Sequence, residues 1–216
     1  SYPSEIKNKE SAIEAVIRSA DNAILVAGVI NADKGTLEGF KSYGNPVSGD
    51  AFVMYFSENQ VISKVAPESP IWSLKIKDAL AVKHLEELPS GEGFLLAMHG
   101  DDEFLTAKVM KISFDGRPIW ELDVPNHGEL TAIKVTKNGY FFSGHKADRF
   151  DGIDASISKI SLNGEFLWNK SFGNPKGGDL IFSGLDEGDP RLIYDECWGI
   201  TEFKNGLVLA CGTGIE

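Results

Sequence analysis

The sequence is poor in cysteine, in positive charge and in long apolar runs. Two cysteines in 216 residues are too few for a disulfide scaffold, and they are not spaced as a zinc site. No apolar run approaches the ~18 residues of a spanning helix, so we expect no membrane insertion. A net charge of −11 argues against the basic face that nucleic acid requires, so we expect no nucleic-acid partner.

Signatures of the common catalytic sites are also missing. The sequence contains no nucleophile elbow, P-loop, zincin helix or catalytic Cys-His signature. It also begins at "SYPSEI" without an initiator Met, and we expect a processed or trimmed product. The sequence therefore names neither a reaction nor a cofactor.

A tryptophan recurs at one fixed interval. Trp72, Trp120 and Trp168 are spaced 48 residues apart. The segment "AKVMKISFDGRPIW" (107–120) aligns without a gap to "ASISKISLNGEFLW" (155–168). Each copy reads as an alternating strand, an Asp-Gly or Asn-Gly turn and a second strand, because these dipeptides supply the positive φ of a tight hairpin. We expect each tryptophan to pack between neighbouring sheets.

A second hairpin precedes each tryptophan hairpin, as in 130–145 and 198–212. One unit is therefore four antiparallel strands in meander order, which is typical of β-propeller blades. The predicted fold class is an all-β propeller, and residues 1–216 form one partial domain of about three and a half blades. The predicted parts are blade one (12–77), blade two (79–124), blade three (130–172) and a half-blade (197–212).

An open propeller exposes a blade face and unpaired strand edges. We therefore expect a second polypeptide to supply the last two strands of the fourth blade and to complete a seven-bladed propeller. The second half of a cleaved precursor is the favoured partner, and a second copy of the chain is the alternative.

Two stretches carry a family resemblance. "WNKSFG" (168–173), followed by "DECWGIT" and "NGLVLACG", resembles the tandem repeats of bacterial secreted and surface β-propellers. "ISKISLNGEFLW" is similar to the tryptophan-bearing repeat of PQQ-like quinoprotein propellers, which usually have eight blades. The resemblance implies the fold and an exported protein, extracellular or periplasmic. The quinoprotein cofactor residues are not identified in this sequence, so the cofactor stays unknown.

Ligand sites of propellers usually lie on one face, where the connections between strands surround the central channel. His99 and His145 occupy the same blade position, and they could bind a ligand or metal or act as acid and base. The alternative is two solvated strand ends. The long crossing into the last half-blade is the strongest candidate region, and it contributes Asp195 and Trp198 as ligand-binding candidates.

A group of aspartates offers only a weak metal site. Asp148, Asp151 and Asp154 could collect a hard cation such as calcium, although their spacing is not that of an EF-hand. Asp154 is also the counterpart of Asp50, which favours a structural role. We assign no metal.

Cys197 and Cys211 lie opposite each other if the turn between them centres on Lys204. A cross-strand disulfide, which would suit an exported protein, and two buried thiols are both compatible with this spacing.

The leading function is an exported scaffold that binds a ligand, glycan or protein on its loop-rich face. The alternative is an enzyme, a hydrolase, lyase or quinoprotein-like oxidoreductase, with its active site at the channel mouth and shared with a second chain.

Overall fold

The structure is a computed structural model that describes residues 9–33, 49–62, 69–89, 91–100, 106–125, 127–148, 152–173 and 195–212. These ranges form an all-β structure of antiparallel sheets with one short helix, as the sequence predicts at the level of fold class. No helix among the described residues is long and apolar enough to cross a membrane.

Consecutive strands pair with one another in each sheet. Sheet 1 contains β1 (Lys9–Arg18), β2 (Ile24–Asp33), β3 (Asp50–Phe56) and β4 (Trp72–Ile76). Sheet 2 contains β5 (Ala81–Glu87), β6 (Phe94–His99), β7 (Thr106–Ile112) and β8 (Pro118–Pro125). Sheet 3 contains β9 (Glu129–Thr136), β10 (Gly139–Asp148), β11 (Gly152–Ile160) and β12 (Phe166–Phe172). Sheet 4, in the described residues, contains β13 (Glu196–Phe203) and β14 (Gly206–Gly212).

The tryptophan interval follows from contacts between one sheet and the next turn. Gly116 and Gly164 have φ of 80° and 86°, which glycine adopts without strain. A Cβ on Gly116 would lie 2.7 Å from the Trp72 ring, and one on Gly164 would lie 2.6 Å from the Trp120 ring. Each of these tryptophans therefore covers a glycine turn of the following sheet. This confirms the predicted packing of Trp72 and Trp120 between sheets.

Apolar side chains fill the space between neighbouring sheets. Val53 of sheet 1 and Met110 of sheet 2 share one core cluster. Val109 of sheet 2 and Phe142 of sheet 3 share another. Because side chains alternate along a strand, Val109 and Met110 face opposite sides of sheet 2, which is buried on both faces.

The first strands of consecutive sheets also lie against one another. β1 contacts β5, β5 contacts β9, and β9 contacts β13. Side chains at the ends of these strands are therefore brought together from different sheets.

The helix α1 (Glu58–Ile62) lies between β3 and β4, where the sequence predicts only a longer connection. The Ser57 hydroxyl accepts a hydrogen bond from the Gln60 amide at 3.4 Å, and the Gln60 side chain accepts one from the Ser57 amide at 2.9 Å. This reciprocal capping box starts the helix.

Candidate functional site

Each first strand contains a β-bulge at the same position. At this position of each first strand the ladder of paired residues skips one residue, and the partner strand skips none. The skip lies after Ile13 in β1, after Val82 in β5, after Leu130 in β9 and after Cys197 in β13. A bulge leaves one residue outside the ladder and redirects its side chain. The four residues left over, which we call the bulge row, are Glu14, Lys83, Thr131 and Trp198.

The bulge row joins sheets 1, 2 and 3 through charged groups. Lys83 Nζ lies 3.5 Å from a carboxylate oxygen of Glu14 and 3.1 Å from one of Glu129. Glu14 belongs to β1 and Glu129 begins β9, so one lysine of β5 bridges the strands on both sides of it. Charge-assisted pairs that are partly shielded from water hold their partners firmly.

Thr131 continues the row toward sheet 4. Its hydroxyl donates a hydrogen bond to the carbonyl of Cys197 and also lies 3.2 Å from the carbonyl of Ser143. The residue after Cys197 is Trp198, whose surface is 57% exposed. The row therefore runs from a charged end at Glu14 to an exposed indole.

His145 adjoins the charged end. Its Nε2 lies 4.0 Å from a Glu129 oxygen. Burial lowers the pKa of His145, against the opposing charge of Glu129. Burial alone would raise the pKa of Glu129, but the charges of Lys83 and His145 and the hydrogen bond from Lys83 lower it. Burial therefore favours the neutral imidazole of His145, whereas Lys83 favours the carboxylate of Glu129.

The structure places His99 and His145 at equivalent positions, as the residue count predicts. The carbonyl of His99 accepts a hydrogen bond from the Leu80 amide at 2.9 Å, and that of His145 accepts one from Gly128 at 3.0 Å. Both side chains are buried, so neither is the solvated strand end of the alternative interpretation. The charge of His99 contributes to the lowered pKa of Glu129.

His127 forms a second buried contact nearby. Its Nδ1 lies 2.8 Å from the Ser156 hydroxyl and its Nε2 lies 2.6 Å from the Ser158 hydroxyl. Burial and the charge of His145 lower the pKa of His127 to about 4. Both ring nitrogens are occupied, so His127 fastens the connection before β9 onto β11.

The two candidates from the long crossing have different surroundings. Asp195 is buried directly before β13, whereas Trp198 is exposed. Only Trp198 therefore presents a large surface to a ligand. Residues 174–194 of the crossing lie outside the described residues.

The aspartate candidates gain no support as a metal site. Asp151 and the side chain of Asp148 lie outside the described residues. Asp154 pairs with Lys146 in the ladder, and its carboxylate lies against Gly173 at the end of β12. In the described part of the chain, no group of three or more His, Cys, Asp or Glu side chains could hold a metal ion.

The structure joins Cys197 to Cys211 in a disulfide. The two residues pair directly across β13 and β14, with their Cα atoms 3.9 Å apart. Of the two alternatives that the sequence left open, this is the cross-strand disulfide. It fastens the bulge of β13 beside Trp198.

An open cleft of about 780 Å³ lies at the other end of the sheets, among the hairpin turns. Glu92, Lys111 and Tyr140 line it, and the Glu92 carboxylate accepts a hydrogen bond from Lys111 at 2.8 Å. None of the sequence-predicted site residues lines this cleft.

The repeat tryptophans of sheets 1 and 2 serve packing. Trp72 and Trp120 are packed onto turn glycines too closely to admit even a Cβ. The quinoprotein resemblance rests instead on residues 157–168 of sheet 3, whose tryptophan is Trp168.

Sequence reasoning missed Lys83, Glu129 and His127. The first strands give a signal for Lys83, since "AIEA", "AVKH", "ELTA" and "ECWG" align without a gap from Ala12, Ala81, Glu129 and Glu196. The third residue of each is the bulge residue. It is an acid, a base, a hydroxyl and an indole in turn, whereas the positions around it are mostly small or apolar.

Compared with protein-family models and with curated proteins, the sequence matches none.

Proposed function

We propose that the four sheets are successive blades of one β-propeller, and that the chain is an exported scaffold that binds an oligosaccharide along the bulge row. The contacts β1–β5, β5–β9 and β9–β13 support the radial arrangement, because propeller blades surround a common channel. Ligands of rigid β scaffolds bind where loops and irregular backbone meet.

The observation that carries the proposal is the bulge row itself. It presents one side chain per sheet at a shared position, and those side chains differ from sheet to sheet. Glu14 and Lys83 are held in an ion pair at one end, and Trp198 is exposed at the other. A large exposed aromatic side chain next to fixed polar groups is typical of a ligand site.

The chemistry of the row fits a sugar. A pyranose ring has an apolar C–H face that can stack on an indole, and hydroxyls that need both donors and acceptors. Carboxylates accept from such hydroxyls and an ammonium donates to them. Lys83 and its two carboxylates are already positioned by one another, so little side-chain entropy is lost on binding.

Two further features support export. The Cys197–Cys211 disulfide suits an oxidising compartment. The net charge of −11 suits a protein that stays dispersed in solution.

The test is an oligosaccharide array followed by calorimetry on the best binder. We expect Trp198→Ala to weaken binding about fivefold, since an aromatic stacking contact contributes about 1 kcal/mol. Phe203→Ala is the matched control, because Phe203 is 60% exposed and lies on the same strand. Equal binding by both variants, or an array without any binder, would contradict the proposal.

A catalytic function is the second candidate, and the separation of His145 and Glu129 favours it. A buried imidazole 4.0 Å from a carboxylate is a possible acid–base pair for a hydrolase or lyase. If the scaffold turns over its ligand, His145→Gln should abolish turnover and leave binding intact. Turnover that survives this substitution would remove the catalytic candidate.

A further inference from the structure

One position of the fourth strand is equivalent in sheets 1, 2 and 3, but its side chain is buried in two of them and exposed in the third. Ile76, Val124 and Phe172 each pair with an alanine of the third strand. Ile76 is 3% exposed and Val124 is fully buried, whereas Phe172 is 51% exposed. The register is the same, so the difference comes from what lies on the strand.

The tryptophans show the same inequality. Trp72 and Trp120 each cover a glycine turn of the next sheet. Among the described glycines, none meets the ring of Trp168 in this way. Trp168 instead contacts Phe141, with ring centroids 6.0 Å apart.

The described part of sheet 4 explains why Phe172 is exposed and why no described glycine packs on Trp168. Its described part has two strands, where each of the other sheets has four. Val208 of β14 is 49% exposed, whereas Leu95, at the equivalent position of β6, is fully buried. Because Leu95 packs toward the following sheet, Val208 marks the far face of sheet 4. Trp168 and Phe172 are the residues of sheet 3 that face the side of sheet 4, next to the edge of β14.

We propose that a β-hairpin from outside residues 1–216 adds to the β14 edge, with its turn glycine on Trp168 and an apolar side chain over Phe172. The inference rests on the propeller arrangement proposed above. It extends an interface that the chain already repeats between sheets 1 and 2 and between sheets 2 and 3.

The two existing turns specify the chemistry of this partner. The amide of Gly116 donates to the Ser113 carbonyl at 2.9 Å, and that of Gly164 donates to Ser161 at 3.1 Å. Both turns read Ser, apolar residue, Asp or Asn, Gly. The partner hairpin should carry this turn between an alternating strand and a second strand.

The experiment supplies such a hairpin from the chain itself. Residues 106–125, which contain β7, its turn and β8, are fused after Glu216. We expect amide exchange in β12 and β14 to slow about tenfold or more, because a paired edge and a covered face open less often. Mass spectrometry of exchanged peptides measures this strand by strand.

The control is the same fusion carrying Gly116→Val in the appended copy. Valine resists the required φ and would clash with Trp168, so protection should be lost. The 106–125 peptide added in trans gives the same readout without altering the chain, which guards against a misfolded fusion.

Unchanged exchange in β12 and β14 with both the fusion and the peptide would overturn the proposal. So would a concentration-dependent dimer of the unfused chain that protects these strands, because the occupant would then be a second copy. Oligosaccharide binding is measured on the same samples. Binding without hairpin protection refutes this inference alone, and protection without binding refutes only the ligand.

Discussion

The outer strands, which are the third and fourth strands of a sheet with the turn between them, make the same contacts in sheets 1 and 2. The inner ends, which are the bulge positions of the first strands, differ from sheet to sheet. Trp72 and Trp120 make the same contact with a following glycine turn. At the inner ends, the bulge row carries Glu14, Lys83, Thr131 and Trp198 at one repeated backbone position. Repetition at the outer strands therefore serves stability, and variation at the inner ends is what the proposed oligosaccharide site depends on. The predictions below test this division.

The largest expected effect is at an outer strand. Trp120→Ala should lower the free energy of unfolding by about 3–5 kcal/mol, because a large side chain is removed from a packed interface. Trp168→Ala, which lacks the equivalent turn, should lower it by about 1 kcal/mol. Denaturant titration of both variants measures the difference. Equal losses in the free energy of unfolding would mean that Trp168 is packed as tightly as Trp120, and would contradict the difference between them.

Gly164→Val should lower the free energy of unfolding by about 2–4 kcal/mol, through backbone strain and overpacking against Trp120. The control is Gly206→Val at the start of β14, where the nearest atom to an added Cβ is 4.0 Å away. Thermal unfolding of the two variants measures the difference in stability. If Gly164→Val were as stable as Gly206→Val, the contact between Gly164 and Trp120 would be contradicted.

Lys83→Met changes the inner end and should lower the free energy of unfolding at pH 7 by about 2–3 kcal/mol, since two carboxylates lose their shared cation. Without Lys83, burial raises the pKa of Glu129. The loss should therefore shrink as the pH falls, because a proton on Glu129 removes its unpaired charge. Lys108→Met, which removes ion pairs to the exposed side chains of Asp123 and Glu121, should lack this pH dependence.

His127 should give the smallest effect. Its folded pKa of about 4 lies below the ordinary 6.5, so the fold favours the neutral imidazole. This contribution is complete above about pH 6.5 and is lost progressively as the pH falls toward 4. We expect about 1–2 kcal/mol less stability at pH 5 than at pH 7, and a weaker pH dependence in His127→Gln. Identical pH profiles would show that another group titrates.

The sequence predicts the outer strands better than the inner ends, and the reason is physical. Trp120, Asp115-Gly116 and the alternating strands act through local geometry, so their spacing reports the hairpins directly. The helix α1 was missed because it is only five residues long and lies within a connection.

The inner ends depend on register. Counting residues places His99 and His145 at one position, and the ladder agrees. A bulge shifts the register by a single residue, and alternation alone does not mark where this occurs. The roles of Lys83 and Glu129 follow from β5 lying against β9, which no local pattern specifies.

The most direct test of the account is a double-mutant cycle between Lys83 and Glu129, which lie on first strands of different sheets. Unfolding free energies are measured for Lys83→Met, Glu129→Gln and the double variant, with Lys83→Met and Asp123→Asn as the control cycle. The account predicts a coupling of about 1 kcal/mol or more for Glu129 and one within about 0.3 kcal/mol for Asp123. A coupling near zero for Glu129 would show that the first strands do not meet, and would contradict the arrangement on which the proposed binding site depends.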